Sequence, residues 1–514
     1  MTKIQSLYQD RIFRTALALI VVLIYFFGLT IPLLGPDEPR YSQVAREMFE
    51  RGDWITPTLG GFHWFEKPVF LYWLQIGSYN LLGVSEFSAR FGSALFGLGT
   101  VLSLFLLGRS YSRTVTNEKS DLAFLLALIS ASSIGLLSFA RGASFDIILT
   151  FPMTAAMVSF FVFEIDNENS DRSNAGSLVP LFLFYFFAGL SLLAKGLIGM
   201  VFPLGIVAFY YLLSWRLPSR RMLLSLIWGP AVASVVAGMW YLPMYLRHGW
   251  EFIDEFIIQH HFQRYTSNKY LHPQPFYFFF LVLPAMTIPW LPFFFAGVWR
   301  YGKALIGRSI ASKDAEVESG IENSERTFNL ARFAFAWMLV PLVFFSFSGS
   351  KLPGYILPSL PPALVLTALY LDRFVRKKPG RVNVVLATAA ATFALVVVLL
   401  VTVLPRFADT DSVKRLIETA DARGYGNAKV LTFHTVSHNA EFYAPGRLLR
   451  DADGRQRKLV SVHEIRNEME ENGWDKVLVL VPLEYAKQLS GSSVVTSETI
   501  ADNGEFIIAA VRQN

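Results

Sequence analysis

The chain has 514 residues, of which 53% are hydrophobic, 15% aromatic and only 17% charged, and its mean hydropathy is +0.40. Soluble domains carry nearer a quarter of charged residues, so this composition predicts a protein with several membrane spans. The absence of cysteine excludes disulfides and thiolate metal sites. The net charge of +6 comes from basic residues in short loops between apolar runs, which indicates membrane orientation and not nucleic-acid binding.

Eleven apolar runs have a length near the roughly 17–25 residues that cross a bilayer. They cover residues 13–34, 87–108, 121–139, 144–163, 178–194, 197–213, 222–246, 276–298, 333–348, 354–371 and 382–404. Because Lys and Arg in short loops stay in the cytoplasm, the loops predict a cytoplasmic N-terminus and an external C-terminal segment. The sequence therefore predicts a mainly α, polytopic helical bundle over residues 1–405.

The first external loop carries two segments with helical spacing. Residues 41–50 and 69–82 each combine apolar positions at this spacing with polar or aromatic residues suited to the membrane surface. A glycine-containing turn lies between them. The pattern predicts two interfacial helices, which would bring Asp37 and Glu66 close together.

The composition beyond residue 405 becomes that of a soluble domain. Helical and strand-like patterns alternate over residues 413–422, 429–433, 462–471, 477–481 and 506–511. This alternation predicts a small α/β domain at 406–514, and we find neither a P-loop nor a GxGxxG motif in it.

Two adjacent carboxylates, Asp37 and Glu38, stand between prolines directly after the first apolar run. Placing charged side chains next to a hydrophobic segment costs free energy, which indicates that these two have a function. One of the pair could instead cap the helix that follows. The functional interpretation makes Asp37 a general base, or a group that stabilises positive charge developing at a sugar carbon.

Three basic residues are predicted on the same external face. Lys67, Arg264 and Lys351 together would form the cationic clamp that a lipid phosphate needs. Each alone is also explained as a side chain that reaches from apolar surroundings to the headgroup region. The small residues of Ser-Gly-Ser-Lys-Leu-Pro-Gly-Tyr (348–355) let a ligand approach the backbone, so Tyr355 joins this predicted set.

Glu66 and His261 combine a carboxylate with an imidazole. With water they could hold a divalent metal ion, either zinc or magnesium or manganese, and His260 is the alternative histidine. A hydrogen-bonded pair without a metal explains the same residues.

Further along the chain, charged residues interrupt apolar runs. Arg141 and Asp146 could form a structural ion pair at the start of a helix. Lys195 is interpreted as marking a short external turn.

Four motifs carry a resemblance to a known family. They are Gly-Pro-Asp-Glu-Pro-Arg-Tyr (35–41), Phe-Glu-Lys-Pro (65–68), His-Phe-Gln-Arg-Tyr (261–265) and Phe-Ser-Gly-Ser-Lys-Leu-Pro-Gly-Tyr-Ile-Leu-Pro (347–358). Together they resemble the aminoarabinose (lipid A) transferases, which belong with the protein O-mannosyltransferase-like GT-C membrane glycosyltransferases. The resemblance covers most of residues 10–370.

The resemblance implies a GT-C bundle in the bacterial inner membrane, with the interfacial helices in the first periplasmic loop. The active site and the C-terminal domain are then periplasmic. A sugar passes from a polyprenyl (undecaprenyl) phosphate carrier to a lipid or glycan acceptor with inversion, and aminoarabinose transfer to lipid A phosphate is the expectation. The partners are this donor, the acceptor and membrane lipids, and nucleic acid is not among them.

Residue chemistry and resemblance together define the predicted site. The catalytic acids are Asp37, Glu38 and Asp146. The donor-phosphate contacts are Lys67, Arg264, Lys351 and Tyr355. The metal ligands are Glu66 and His261, with His260 in the alternative register.

Three other functions compete with this interpretation. The same fold could transfer a hexose or another sugar to protein or to another glycan. A lipid-carrier flippase is a more distant alternative, but it should place ionisable residues on both sides of the bilayer centre, whereas here they gather on one. A non-catalytic anchor for the C-terminal domain leaves the Asp-Glu and Phe-Glu-Lys-Pro motifs unexplained.

Overall fold

The computed structural model describes residues 10–115, 122–169, 177–263, 273–308 and 321–513. These residues form two compact units. The helical unit consists of residues 10–27, 66–71 and 92–396 in the described chain. The mixed unit consists of residues 28–65, 72–91 and 397–513.

Helices occupy most of the described chain up to residue 263. They are α1 (Arg11–Phe26), α2 (Asp37–Arg51), α3 (Phe70–Leu82), α4 (Glu86–Val115), α5 (Leu122–Ala131), α6 (Ile134–Phe139), α7 (Phe145–Asn169), α8 (Val179–Lys195), α9 (Ile198–Ser214), α10 (Arg220–Phe252) and a π-helix (Ile253–Gln263). A short antiparallel hairpin, β1 (Thr58–Leu59) and β2 (Phe62–His63), stands between α2 and α3. The two helices predicted in the first loop are therefore confirmed as α2 and α3.

The remaining elements combine helices with one sheet. The helices are α11 (Phe278–Met286), α12 (Leu291–Arg308), α13 (Ile321–Ser346), α14 (Leu360–Lys377), α15 (Val382–Thr402), α16 (Leu404–Asp411), α17 (Lys414–Ala420), α18 (His438–Tyr443), α19 (Val462–Asn472) and α20 (Ala486–Ser490). The strands are β3 (Val430–Phe433), β4 (Lys458–Leu459), β5 (Lys476–Pro482), β6 (Val495–Asp502) and β7 (Phe506–Gln513). Single 3-10 turns occupy Pro353–Ser359, Pro379–Arg381 and Leu483–Tyr485, and a π turn occupies Asp421–Tyr425.

The apolar helices account for ten of the eleven predicted runs, and the first run, 13–34, overlaps α1, which ends at Phe26. Within the described residues, six are long and apolar enough to cross a membrane: Glu86–Ser112, Phe145–Asn167, Arg220–His260, Glu325–Ser346, Pro353–Lys377 and Val382–Thr402. A bent pair formed by α11 and α12 raises this count to seven if the pair is one span. Three shorter apolar helices, α5, α8 and α9, accompany them. The chain is therefore a multi-span membrane protein.

Two predicted runs are broken where the sequence offers a local reason. Run 121–139 divides into α5 and α6, because the hydroxyls of Ser132 and Ser133 bond to carbonyls of the preceding turn. Run 276–298 divides into α11 and α12, which are inclined by 116°. Pro289 stands at this break and lacks the N–H that a continuing helix requires.

Small residues allow the helices of the helical unit to approach closely. A Cβ added to Gly189 of α8 would lie 2.8 Å from the Ala233 carbonyl oxygen of α10. Tyr185 and Ser225 hydrogen-bond between the same two helices at 3.0 Å. Glycine contacts and hydroxyl bonds of this kind are the usual means of helix association inside a membrane. The α8 helix also packs against α7, which positions its last residue, Lys195, for the site described below.

The C-terminal part of the mixed unit confirms the predicted small α/β fold. The sheet has the order β4-β3-β5-β7-β6, with β4, β3 and β5 parallel and β7 antiparallel to both its neighbours. Along β5, Leu478 and Leu480 enter one apolar core while Val477, Val479 and Val481 enter the other. Both faces are covered, which explains the continuous apolar run that predicted this strand.

The mixed unit includes more than the predicted C-terminal domain. Residues 28–65 and 72–91, which contain α2 and all but the first two residues of α3, belong to the same compact unit as residues 397–513. In particular, α18 packs against α2. The domain boundary at residue 405 stays a prediction, because it follows composition and not these contacts.

Candidate active site

The Asp37 carboxylate is presented by a turn that glycine and proline define. Gly35 has φ 61°, in the left-handed region that suits glycine, and Pro36 occupies the N-cap position of α2. Asp37 is the first residue of the helix, and its side chain is 49% exposed. Its Oδ1 atom lies 2.5 Å from Nη2 of Arg40, and the Arg40 guanidinium lies 5.7 Å from the ring of Trp64. The acid is thus fixed in position while remaining accessible.

Glu38 has very different surroundings. Its two carboxylate oxygens accept bonds from Arg90 at 2.6 and 3.2 Å, and the side chains of Glu38 and Arg90 are only 15% and 4% exposed. Oε2 also accepts from the backbone N–H of Leu34 at 2.9 Å. Glu38 therefore serves to hold the backbone before α2. Its predicted catalytic role stays a prediction, and the structure gives Asp37 the more accessible position.

A second carboxylate of α2 holds the hairpin. Both oxygens of Glu47 accept hydrogen bonds, from the Gly60 N–H at 2.6 Å, the Gly61 N–H at 3.1 Å and the Thr58 hydroxyl at 2.7 Å. Both glycines have positive φ, as a two-residue hairpin turn requires. The hairpin is therefore an ordered part of the mixed unit.

Asp146 lies in the helical unit, in the first turn of α7. Its carboxylate forms an ion pair with Nζ of Lys195 at the end of α8, and the two side chains are 18% and 17% exposed. The Lys195 ammonium lies 4.9 Å from the centre of the Tyr355 ring, close enough for a cation–π contact. Gly354 packs so tightly that an added Cβ would lie 1.8 Å from Oδ2 of Asp146. We call Asp146, Lys195, Gly354 and Tyr355 the Asp146 cluster.

The structure does not form the ion pair considered between Arg141 and Asp146. Arg141 instead donates to the carbonyls of Ile24, Tyr25 and Phe27. A cation at these last carbonyls of α1 satisfies acceptors that the helix leaves without partners. Arg141 therefore caps the C-terminal end of α1.

Two predicted phosphate contacts are also described in the helical unit. Lys67 lies 3.0 Å from the carboxylate of its neighbour Glu66, and both side chains are 13% exposed. Lys351 is buried, and its ammonium donates to the carbonyls of Gln274 at 3.0 Å and Ser348 at 2.7 Å. Both lysines are thus held in fixed positions by oxygen atoms.

Part of the predicted site lies outside the described residues. Arg264 is one of the residues that the structure does not describe. Of His261 only the backbone is described, in the π-helix that follows α10. His260 is half-buried in the same π-helix. On α10, a ring nitrogen of His248 and a carboxylate oxygen of Glu251 lie within 4.8 Å of each other. The predicted metal site on Glu66 and His261 stays a prediction.

Sequence reasoning did not predict the ion pairs of Arg40, Arg90 and Lys195, although it had singled out Lys195 as marking a turn. Each neutralises one of the predicted catalytic acids. Arg40 could have been found from its position three residues after Asp37 on one helix. A lone Lys or Arg at the end of an apolar helix was the available signal for the other two.

Comparisons with known proteins identify relatives of this chain. Residues 12–257 match the family described as dolichyl-phosphate-mannose-protein mannosyltransferase. An undecaprenyl phosphate-alpha-4-amino-4-deoxy-L-arabinose arabinosyl transferase of Serratia proteamaculans is 32% identical over 75% of this chain and 64% of the relative. A protein of that name from Pectobacterium carotovorum is 32% identical over 71% of this chain and 61% of the relative. The chain thus spans just under two thirds of the length of these curated relatives.

Solved structures show the same fold. ArnT from Cupriavidus metallidurans bound to undecaprenyl phosphate superposes with a TM-score of 0.72 at 21% identity, covering 96% of this chain and 97% of that one. The archaeal oligosaccharyltransferase AglB from Archaeoglobus fulgidus gives a TM-score of 0.51 at 14% identity, covering 96% and 74%. The predicted fold class is therefore confirmed. With the relatives above, it follows that this chain belongs to the aminoarabinose-transferase and protein O-mannosyltransferase-like family of GT-C membrane glycosyltransferases.

Proposed function

We propose that the chain is an integral membrane glycosyltransferase that moves a sugar from a polyprenyl (undecaprenyl) phosphate carrier to an acceptor, with inversion. The relatives are named for undecaprenyl phosphate-linked 4-amino-4-deoxy-L-arabinose, which supports that sugar as the cargo. Lipid A phosphate is the proposed acceptor. The proposed location is the bacterial inner membrane, with a cytoplasmic N-terminus and with the active site and residues 406–514 on the periplasmic side.

The observation that carries the proposal is the Asp37 carboxylate. It is 49% exposed, stands on a turn shaped by Gly35 and Pro36, and is paired with a cation of its own helix. Half of the Asp37 side chain faces solvent while Arg40 is only 19% exposed, so a substrate can reach the solvent-facing side of the carboxylate with Arg40 still in place. A fixed but accessible acid is what a group-transfer site needs beside the reacting carbon.

In the proposed reaction, an acceptor oxygen attacks the anomeric carbon as the bond from that carbon to the phosphate oxygen breaks. Polyprenyl phosphate leaves with the electron pair of the broken bond. A hydroxyl acceptor gives its proton to Asp37. A lipid phosphate is already ionised, and Asp37 then stabilises the positive charge that develops at the sugar carbon.

The leaving phosphate needs positive charge, which we assign to Lys67 and Arg264. Lys351 already donates to two backbone carbonyls, so its proposed contact with the phosphate uses its third N–H. Tyr355 is the proposed aromatic residue beside the leaving phosphate. Asp146 is the proposed second acid, which holds Lys195 in place.

Glu66 with His261, or with His260, is the proposed place for a divalent metal. An oxygen and imidazole donor set is one that zinc accepts. A bound ion would supply positive charge, and the steps above proceed through this chain's own residues.

The test uses the purified chain in lipid nanodiscs with undecaprenyl phosphate-aminoarabinose and lipid A. Mass spectrometry follows loss of sugar from the carrier and gain of aminoarabinose on lipid A, and both are expected. Lipid A that gains no mass while the carrier keeps its sugar would reject the proposal. Movement of intact donor between leaflets without sugar release would support the flippase instead.

The family match over residues 12–257 favours one second candidate, because its description names a mannose donor and a protein acceptor. Parallel incubation with polyprenyl-phosphate mannose and a peptide acceptor decides between the two. Sugar on the peptide, with lipid A unchanged, would select this candidate.

A further inference from the structure

The backbone just before Asp37 is held by polar and charged side chains at three carbonyls and three N–H groups. Arg90 donates to the carbonyls of Leu29, Ile31 and Pro32, with the first and last bonds at 3.0 Å. The next three N–H groups, from residues 33 to 35, are each bonded to a side-chain oxygen. We call this segment, residues 29–35, the approach turn. Six such hydrogen bonds on an irregular segment indicate that its conformation is tightly controlled.

Two of those three N–H groups are bonded by the C-terminal segment. The Leu33 N–H donates to the Tyr443 hydroxyl at 2.8 Å. The Gly35 N–H donates to Oδ2 of Asp411 at 2.9 Å. The N–H between them, from Leu34, donates to the carboxylate of Glu38. The partners of Leu33 and Gly35 lie more than 370 residues away in sequence, at separations of 410 and 376.

The hydroxyl of Tyr443 is itself oriented by a second network. It donates to Oε1 of Glu86 at 3.1 Å, and Lys414 lies 2.7 Å from that same oxygen. Burial raises the pKa of the Tyr443 hydroxyl above its ordinary value, and the Glu86 carboxylate adds to the rise. The hydroxyl therefore keeps its proton at neutral pH, donating to Glu86 while it accepts from the approach turn.

The position of Asp37 depends on the turn that these side chains hold. Asp411 is the last residue of α16 and Tyr443 the last of α18. Asp411 holds Gly35, which stands two residues before Asp37 and has the left-handed backbone that turns the chain into α2. A shift in that turn would move the carboxylate relative to its substrate.

We propose that Asp411 and Tyr443 of the C-terminal segment are positioning residues for Asp37, which makes this segment part of the catalytic apparatus. The inference rests on the proposed function, because it requires Asp37 to act in sugar transfer. Neither residue needs to touch a substrate. Their contribution is to keep the approach turn in the one conformation that presents Asp37.

The experiment compares Asp411→Ala and Tyr443→Phe with the unmodified full chain in nanodiscs, using undecaprenyl phosphate-aminoarabinose and lipid A. We expect kcat to fall by about 10- to 100-fold, the range that a small misplacement of a reacting group produces, while KM for the donor stays unchanged. Asp411→Asn keeps an oxygen that accepts from Gly35 and should restore most of kcat. Unchanged kcat in both Asp411→Ala and Tyr443→Phe would overturn the proposal.

Two matched controls separate position from general stability. Asp409→Ala removes an acid of the same helix that pairs with Arg415 at the surface, and Tyr485→Phe removes a hydroxyl from a tyrosine stacked on His434. Both should retain wild-type kcat. Hydrogen exchange supplies a readout independent of activity, and we expect faster exchange at the N–H groups of residues 33–35 in the two positioning variants. Unchanged exchange there would also overturn the proposal.

A double-mutant cycle separates this inference from the proposed function. If Asp411 acts through Asp37, Asp411→Ala causes no further loss of kcat in an Asp37→Asn background. Additive losses would contradict a positioning role. Wild-type turnover in Asp37→Asn alone would reject the role of Asp37 itself, whereas an inactive Asp37→Asn beside a normal Asp411→Ala would reject only the positioning. Should Asp411→Ala fail to fold, Tyr443→Phe, which keeps the ring, decides the question.

Discussion

Asp37 of the mixed unit and Asp146 of the helical unit both stand in the first turn of a helix, yet their carboxylates are held in different ways. Asp37 is 49% exposed and pairs with Arg40, three residues later on the same helix. Asp146 is 18% exposed and pairs with Lys195, which comes from a different helix. The two cations are similarly enclosed, and the difference lies in the acids: a half-exposed carboxylate gains less from its partner than one enclosed together with it, and the enclosed pair is costly to break.

The difference assigns separate tasks to two acids that look alike in sequence. A half-exposed carboxylate whose partner lies on the same helix keeps a side that a substrate can reach. A carboxylate enclosed with a lysine and a tyrosine fixes the surrounding helices and keeps a cation in place. Glu38 falls in the second class, since Arg90 and a backbone N–H occupy its oxygens.

The strongest test of this comparison is Asp37→Asn. The amide keeps the shape of the side chain but removes the charge and the basicity, so we expect transfer to fall by about 10²- to 10⁴-fold. Thermal unfolding should change little, because the acid is half exposed and the amide oxygen of the variant can still accept a hydrogen bond from Arg40. Single-turnover assays on the purified chain measure the first effect, and calorimetry in detergent measures the second.

Glu50→Gln is the matched control for that experiment. Glu50 lies on the same helix, is 51% exposed and pairs with Arg46 in the same local manner. We expect normal transfer from this variant. Equal losses in Asp37→Asn and Glu50→Gln would show that charge on this helix, and not the position of Asp37, is what transfer requires.

Asp146→Asn tests the other side of the comparison. It leaves the Lys195 ammonium, 17% exposed, without its carboxylate, so we expect the free energy of unfolding to fall by about 3 kcal/mol. Adding Lys195→Met removes the unpaired charge and should return much of the lost stability. Chemical denaturation of the three proteins measures this recovery. A double variant no more stable than Asp146→Asn would show that the pair is not coupled as the geometry indicates.

Much of the fold could be predicted from local patterns. Apolar runs marked the membrane helices, and alternating patterns beyond residue 405 marked α17, β3, α19, β5 and β7. The association of residues 28–65 and 72–91 with residues 397–513 could not be predicted. It depends on single hydrogen bonds such as Gly35 to Asp411, whose partners are 376 residues apart and carry no periodic signal.

The site divides in the same way. Prolines beside paired acids indicated the Asp37 turn directly from sequence, because that signal is local. The pairing of Glu38 with Arg90, 52 residues later, and of Asp146 with Lys195, 49 residues later, required the packed helices. A sequence identifies which charges are unusual, and the packing decides which of them remains accessible.

The smallest expected effect concerns the tight packing of the Asp146 cluster. An added methyl group at Gly354 would meet Oδ2 of Asp146 at 1.8 Å, so Gly354→Ala must displace the carboxylate or the turn. We expect a loss of about 1–3 kcal/mol, as overpacking usually causes. Gly205→Ala is the matched control, because its added Cβ meets Val340 at an ordinary 3.5 Å, and it should be neutral or slightly stabilising within α9. Neither substitution touches the Asp37 turn. If both variants were destabilised equally, Asp146 would not be more tightly packed than its surroundings, and the contrast with Asp37 would fail.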